Sequence, residues 1–457
     1  MTWQKYLQSG LIFARAVYER RVPYFSSERL QAIQRRRLRH IVRHAQATVP
    51  FYREFMERER LRPEDFQTVE DLACLPLIDR HFVSDNVSLF QSQSFDPKDC
   101  VALHSGTGRT TYWDQKSFLA RLAFHERDRM VCLGAGHLSL GHKQLYVLPA
   151  ASSTFTTRGA WDRSIHTPRF IVKRHFLDAM VPHDKLAATL DSVRPDVVFS
   201  YGSSLEHFAR FLRNRGLHPS MPRVWICGGD LLSPHWRDIV EREYGCVALS
   251  NYGSTEVGGI GFECPQHTGF HLNIDIVPLR IVHDDGSPSA LGEIGEVVVS
   301  NLINRGTVLL NYRLGDLAEL TEELCPCGRT LPLLRNLHGR IAEAVQITGD
   351  TAISSTTLLG KFARELETAL NVQVISLAPG RVRWRIVPST GLDREWFKTR
   401  LLKRWKDVFG DQAVAEVEYV AAIPTSPAGK FRAVIRASEA SDAGTRVGPV
   451  SAGFGRK

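Results

Sequence analysis

The chain has 457 residues, 43% hydrophobic and 23% charged, with 58 Lys and Arg against 49 Asp and Glu for a formal net charge of +9. At roughly 100–200 residues per domain this length implies two or three domains, and it excludes hormone- and knottin-sized folds. No apolar run approaches the roughly 18 residues that a spanning helix needs, and the short apolar patch at the start is interrupted by Arg15 and Glu19, so neither a membrane span nor a signal peptide is expected; the reading is of a cytoplasmic protein.

From about 27 to 62 the pattern is helical, and Pro50 breaks or kinks it. Leu30, Ile33, Leu38, Ile41, Val42 and Ala45 keep near-helical spacing through the run RRRLRHIVR. Its arginines are therefore expected on the wet face of an amphipathic helix and not in a nucleic-acid patch, because no aromatic interleaving accompanies them. A basic protein is equally suited to anionic small molecules such as ATP. Beyond about 100, QLYVLP, DVVFS, RVWIC and CVALS have strand character, while 203–216 and 233–245 read as helices. The second of these opens on Ser233 and Pro234 and stops at Gly245. Strands alternating with helices predict a mainly parallel α/β sheet, whose ligands bind beyond the carboxyl ends of the strands.

After about 275, DDGSP, GEIGEVVVSN and TVLLNYRLGDLAEL change the pattern to strands and turns, predicting an antiparallel, barrel-like subdomain. A boundary is expected near Gly339 and Arg340, followed over 341–437 by a small α+β unit. That unit is read as a helix at 357–369, a hairpin turning at Pro379 and Gly380, a helix at 393–409 and the strand AEVEYV. Residues 438–457 lack core-forming content and are expected to be disordered.

Four short motifs carry chemistry, and their order is more informative than any one of them. HSGTGRTTYW places Ser105, Thr107 and Gly108 in a loop able to offer N–H groups and hydroxyls to phosphate oxygens. NYGSTEVGG follows the CVALS strand, where Tyr252 can stack on a base, Thr255 can bond a phosphate and Glu256 can hold magnesium. In YRLGDL, Asp316 is expected in a tight turn with its carboxylate available to both hydroxyls of a ribose, or else bonded to its own turn. IPTSPAGKFR sets Lys430 in a loop of the small domain. Eight cysteines in a chain without a secretory signal argue against a disulfide framework. Cys264, His271, Cys325 and Cys327 offer three thiolates and an imidazole, a set that prefers zinc, with His267 a competing ligand and free buried cysteines the alternative.

The ordered series SGTG, YGSTE, YRLGD, HGR and PTSPAGK resembles the adenylate-forming ligases, and VPFYREF, RPDVVFSYGSSL, GGDLLSP and CPCGRTLP resemble their phenylacetate-CoA ligase and capsule-biosynthesis branch. The resemblance covers about residues 30–437. It implies an N-terminal adenylation domain at 1–340, a mobile C-terminal domain at 341–437, and activation of a carboxylic acid, aryl or small acyl, with ATP and release of pyrophosphate. Transfer to CoA or a separate carrier protein would follow.

Carried over by position, Ser105, Thr107 and Gly108 would touch the triphosphate, and Gly228, Gly229, Tyr252 and Gly253 would frame the nucleotide. Thr255 would meet the α-phosphate, Glu256 magnesium, Asp316 and Arg340 the ribose, and Lys430 would bridge carboxylate and phosphate. Tyr201, Ser203 and Gly258 would wall the acid site, and the three cysteines with His271 would hold a structural zinc. The implied cofactors are ATP, magnesium, zinc and CoA. Nucleic acid is not an expected partner, and the oligomeric state, a homodimer among the options, is left open.

The chain departs from the family where SGTG runs straight into Arg109, Thr110 and Thr111, where Ala342 replaces an acidic hinge residue, and at Ser354 and Leu358. Other readings are capture of the adenylate by an amine or hydroxyl, and a catalytically degraded nucleotide-binding relative.

Overall fold

The computed structural model describes residues 3–105, 110–139, 141–149, 171–348, 351–426 and 431–440. Thr107, Gly108, Lys430 and the tail from 441 onward lie outside the described residues. The chain divides into two compact units, the first Met1–Ile341 and the second beginning at Ala342.

In the first unit, helices Ser27–Thr48 and Pro50–Arg58 meet at Val49, where Pro50 occupies the first turn of the second helix. A proline there forfeits no helical hydrogen bond, so the chain restarts instead of continuing. Leu30, Leu38, Ile41, Val42 and Ala45 are buried, and Arg35, Arg36, Arg39 and Arg43 are exposed. Arg37 corrects the expectation of a wholly wet basic face. Its guanidinium turns inward and lies 2.6 Å from Asp275. Asp275 in turn pairs with Arg127 at 2.8 Å, and Arg127 reaches Glu19 at 2.6 Å, all three side chains being 0–1% exposed. This network fastens helices Trp3–Glu19, Ser27–Thr48 and Gln115–Ala135 to the segment after residue 272.

Burial alone would raise the Asp275 carboxyl, but Arg127 and Arg37 outweigh it and hold the group at about 2. A carboxyl depressed in the folded state contributes stability above its ordinary value near 4, and that contribution is lost as pH falls toward 2. Urea midpoints are therefore expected to fall steeply between pH 4 and 2. In Asp275→Asn the slope should flatten while stability at neutral pH drops by about 3–5 kcal/mol, since Arg127 and Arg37 lose a buried partner. Equal slopes in both proteins would remove Asp275 from the acid response.

Strands β1 (Val101–His104) and β2 (Thr110–Trp113) pair antiparallel on either side of the Gly- and hydroxyl-rich motif in sequence. Its base is anchored by Thr307, whose hydroxyl accepts from the Tyr112 N–H and whose own N–H donates to the Tyr112 carbonyl. A Cβ on Gly306 would lie 2.5 Å from that same carbonyl oxygen, so only glycine fits.

The main sheet has eleven strands among the described residues. β3 (His142–Val147), β4 (Val172–Leu177), β5 (Val197–Ser200), β6 (Val224–Gly228) and β7 (Val247–Ser254) pair in parallel in the order β4-β3-β5-β6-β7. Beyond β7 the pairing turns antiparallel through β8 (Gly258–Phe262), β9 (Phe270–Leu272), β13 (Leu333–Arg340), β12 (Tyr312–Thr321), β11 (Gly295–Val299) and β10 (Leu279–Val282). The antiparallel region read from the sequence is thus no separate barrel. It is hydrogen-bonded edge to edge to the parallel half through the β7–β8 hairpin, with β10 and β4 as outer strands.

Period-2 alternation sends neighbouring side chains to opposite faces. Val198 and Trp225 pack with helices His183–Val193, Gly202–Arg215 and Pro234–Tyr244 on one side, while Val197, Val224 and Ile226 pack with Val131 of helix Gln115–Ala135 on the other. Ser233 caps its helix by accepting from the Trp236 N–H, and Gly245 closes it in the left-handed region.

The second unit holds the hairpin β14 (Val345–Thr348) and β15 (Thr351–Ile353), and a four-stranded sheet. The sheet comprises β16 (Ala369–Ala378), β17 (Arg381–Pro388), β18 (Val414–Tyr419) and β19 (Val434–Arg436). Helix Arg394–Phe409 covers Trp384 with Phe397, Leu401 and Trp405. The single helix expected at 357–369 is instead two short ones, Ser355–Lys361 and Ala363–Leu366, and β16 already begins at Ala369. Ser354 caps the first, and Leu358 points into the core, which accounts for both departures at those positions. Ser438, Glu439 and Ala440 lie in the short helix Ala437–Ala440, against the expectation of disorder from 438 onward.

Candidate active site

Two of the four motifs, YGSTE and YRLGD, meet in the first unit together with HGR. β7 and β8 form a tight hairpin, with Ser254 opposite Gly258 and Gly253 opposite Gly259. A Cβ on Gly253 would sit 2.6 Å from the Gly258 carbonyl oxygen, and Gly258 has φ +92°, so the glycines of YGSTEVGG are demanded by close approach and handedness. Tyr252 is buried beside Phe270, and its hydroxyl donates to Asp316 Oδ2 at 3.0 Å. Burial and the Asp316 carboxylate push the Tyr252 phenol well above its ordinary range, so it stays protonated as that donor.

Asp316 lies on strand β12 and not in a tight turn, directly opposite Arg340 on β13. Gly315 before it has φ +75°, and Leu317 follows at a bulge. That irregularity, and not a turn, aims the carboxylate. Asp316 Oδ1 stands 3.5 Å from Arg340 Nε. YGSTE, YRLGD and HGR therefore contribute one residue each to a single carboxylate-centred cluster.

Gly228 ends β6 opposite Asn251, and Gly229 follows in the left-handed region at φ +84°. The loop they open crosses the start of helix Gly202–Arg215, where a Cβ on Gly202 would meet the Leu232 nitrogen at 2.5 Å. Asp230 accepts from both the N–H and the hydroxyl of Ser203. The Ser203 hydroxyl thus clamps GGDLL to SYGSS, while Tyr201 is buried against Tyr146 and Leu148 with its phenol pushed up to about 12 by burial and Asp230. Neither lines the cavity that Gly258 walls.

That cavity, of only about 20 Å³, lies beside the Thr255–Val257 turn and is walled by Trp113, Phe124, Val257, Gly258, Ile276 and Ile303. Arg121, His125, Asp128 and Asn273 also line it. Arg121 donates to the Thr255 carbonyl at 3.3 Å and stacks 4.6 Å from the Trp113 ring centroid. Burial lowers its pKa to about 10 against the opposing pull of Glu256, so the guanidinium is charged and faces a buried carboxylate. Sequence reading missed Arg121, which sits in an ordinary helical stretch with no motif around it.

Cys264, His271, Cys325 and Cys327 bring one ligand atom each to within 4.8 Å of one another. Cys264 Sγ is 3.6 Å from Cys325 Sγ, and Cys327 Sγ is 3.4 Å from His271 Nε2. Burial and Arg329 lower the imidazole to about 4, which keeps it neutral and able to ligate. His267 points elsewhere, its Nε2 lying 3.1 Å from Glu241. Cys264 follows β8, His271 is on β9, and the CPC loop joins β12 to β13, so a metal here would staple the strands that carry Asp316 and Arg340. A compact set of three thiols and one neutral imidazole, mostly buried, fits tetrahedral zinc.

Fold and cluster can be set beside those of known proteins. The chain is 24% identical over 352 residues to phenylacetate-coenzyme A ligase of Thermus thermophilus, covering 73% of this chain and 75% of that protein. It is 20% identical over 413 residues to protein CapK of Staphylococcus aureus, covering 88% of each. Among solved structures, 2-hydroxyisobutyryl-CoA ligase in its postadenylation state superposes with a TM-score of 0.74 at 20% identity, covering 93% of both chains. No protein-family model matches. The chain is thus similar in sequence to phenylacetate-CoA ligase and to CapK, and it shares the fold of 2-hydroxyisobutyryl-CoA ligase. Among the described residues, no helix is long and apolar enough to cross a membrane.

Proposed function

We propose that this protein activates a carboxylic acid with ATP, forming an acyl-adenylate and pyrophosphate, and passes the acyl group to the thiol of CoA or of a separate carrier protein. The observation that carries this reading is the convergence of Tyr252, Asp316 and Arg340 from three separate motifs. A carboxylate fixed on one oxygen by a buried phenol and flanked by a guanidinium retains acceptor capacity for the two hydroxyls of a ribose. It lies on β12 and is bonded to Tyr252 of the β7–β8 hairpin, whose Thr255 would then face the α-phosphate.

Glu256 would hold magnesium, which when bound neutralises charge on the phosphates. Gly228, Gly229 and Gly253 would leave backbone bare around the base, and Ser105 with Thr107 and Gly108 would meet the triphosphate. Asp230 and Ser203 hold the loop in place instead of touching the acid. Zinc at the cysteine–histidine cluster would be structural, since all four positions come from protein and none is left open for substrate. A cytoplasmic site of action is part of this reading.

Asp316→Asn removes the charge but keeps the shape. With two charge-assisted bonds to the ribose weakened, kcat/KM for ATP is expected to fall roughly 10²-fold or more, with the melting temperature little changed. Initial rates of acid-dependent pyrophosphate release over a range of ATP concentrations check this. An unaltered ATP dependence would detach Asp316 from the nucleotide.

A further inference from the structure

The helix Trp3–Glu19 has two unlike faces. Ile12, Ala16 and Glu19 are buried, Ile12 with Phe118 and Leu122 of helix Gln115–Ala135 and Glu19 against Arg127. On the opposite side Leu7, Leu11 and Ala14 form one ridge at helical spacing, and Gly10, Phe13 and Val17 form the next. All six are exposed, Leu7 at 55%, Leu11 at 60% and Phe13 at 62%. Single exposed apolar side chains need no explanation, whereas a contiguous face marks an interaction site. The chain's charge is concentrated at the same end. Residues 1–48 carry ten Lys and Arg against two Asp and Glu, while the remaining 409 carry 48 against 47. Nearly the whole net charge of +9 therefore belongs to the first two long helices and their connection. Arg21 follows the first helix directly and is exposed, as are Arg29, Arg35 and Arg36.

We infer that this end of the molecule binds the surface of an anionic bilayer, the apolar ridges of the first helix entering the acyl boundary while arginines of the same segment meet the headgroups. Apolar insertion beside positive charge is how an interfacial helix binds, lying in the membrane plane without spanning it. The buried face, held by Ile12 and the Glu19–Arg127 pair, keeps the ridges outward in the folded protein, so the surface needs no rearrangement to form. A second copy of the chain is the competing occupant. Standard protein interfaces engage about 20–30 residues a side, and two ridges of three residues fall well short of that. Two copies would also bring like-charged segments together, whereas anionic headgroups complement them. A nucleic acid would answer the charge but leave Leu7, Leu11 and Phe13 without apolar cover. The inference concerns where the enzyme is held and does not depend on the adenylation reading.

Flotation of the full-length protein with vesicles at near-physiological ionic strength tests this. Phosphatidylcholine vesicles are compared with vesicles containing about 30 mol% phosphatidylglycerol, and partitioning into the anionic ones is expected to be about tenfold or more higher. Leu11→Glu/Phe13→Glu alters only exposed positions, so thermal unfolding should stay close to wild type while partitioning falls by about tenfold or more. Arg35→Glu/Arg36→Glu, also at exposed positions, should reduce the preference for anionic lipid severalfold and carries the test if the first variant does not fold. Light scattering should give the same mass in solution for the wild type and both variants. A wild type that does not float with anionic vesicles, or variants that float as well as it does, overturn the inference. A wild-type dimer that Leu11→Glu/Phe13→Glu converts to a monomer also overturns it, because a second copy then covers the face. Pyrophosphate release in vesicle-free solution should be unchanged in both variants, which keeps this outcome separate from any failure of the adenylation reading.

Discussion

Lys430→Ala is expected to slow acid-dependent pyrophosphate release by about 10²–10³-fold while ATP binding and thermal unfolding remain close to wild type. The reasoning starts from the reacting groups. A carboxylate must approach an α-phosphate, and both are anionic, so a cation held between them favours the encounter and offsets the charge that develops during transfer. Lys430, in the PAGK motif that falls in sequence between β18 and β19, is the residue the family resemblance assigns to that role. Rapid-quench measurement of pyrophosphate, paired with calorimetric ATP binding, separates chemistry from binding. Undiminished turnover in the variant would remove Lys430 from the mechanism.

Cys325→Ser is expected to abolish a bound zinc and to cost on the order of 5 kcal/mol in stability. Protein purified without chelator should contain about one zinc per chain. Cys325 lies 3.6 Å from Cys264 and accepts from the Thr268 hydroxyl at 3.1 Å, which together with its neighbours holds its thiol below the usual range despite burial. Burial by contrast pushes the Cys264 thiol up to about 12, so without a metal a thiol and not a thiolate occupies that position. A cation that converts the buried set to thiolates therefore couples binding to the folded geometry. Because the cluster staples β8 and β9 to the loop between β12 and β13, its loss should also weaken the register that sets Asp316 opposite Arg340. Metal analysis that finds no zinc would discard the site.

The residues that were readable in the sequence are those whose signal is local. Ser233, Pro234 and Gly245 announce a helix from end to end, and the strands at 196–200, 223–227 and 246–250 have apolar, β-branched runs bounded by turns. The cysteine–histidine set was legible because thiolate and imidazole carry their chemistry in their identity; only geometry could separate His271 from His267. What stayed hidden depends on distant partners. Arg37 sits among arginines that face water, yet it turns inward because Asp275, far along the chain, waits beneath it. Arg121 differs in no local way from its helical neighbours, and its burial is set by Trp113 and by the β7–β8 turn. The glycine before Asp316 suggested a turn, but long-range pairing with β11 and β13 kept the segment extended. The same non-local pairing merged the antiparallel strands with the parallel sheet, which strand propensity does not reveal.

The most direct test of the central claim is carboxylate-dependent pyrophosphate release across aryl, short, medium-chain and amino acids, with ATP and magnesium, in the presence and absence of CoA. The account predicts release with one class of small or aryl acid and a marked rise when CoA is added. Measurable ATP binding without release for any acid, with or without CoA, would contradict it and leave a nucleotide-binding protein without adenylating chemistry.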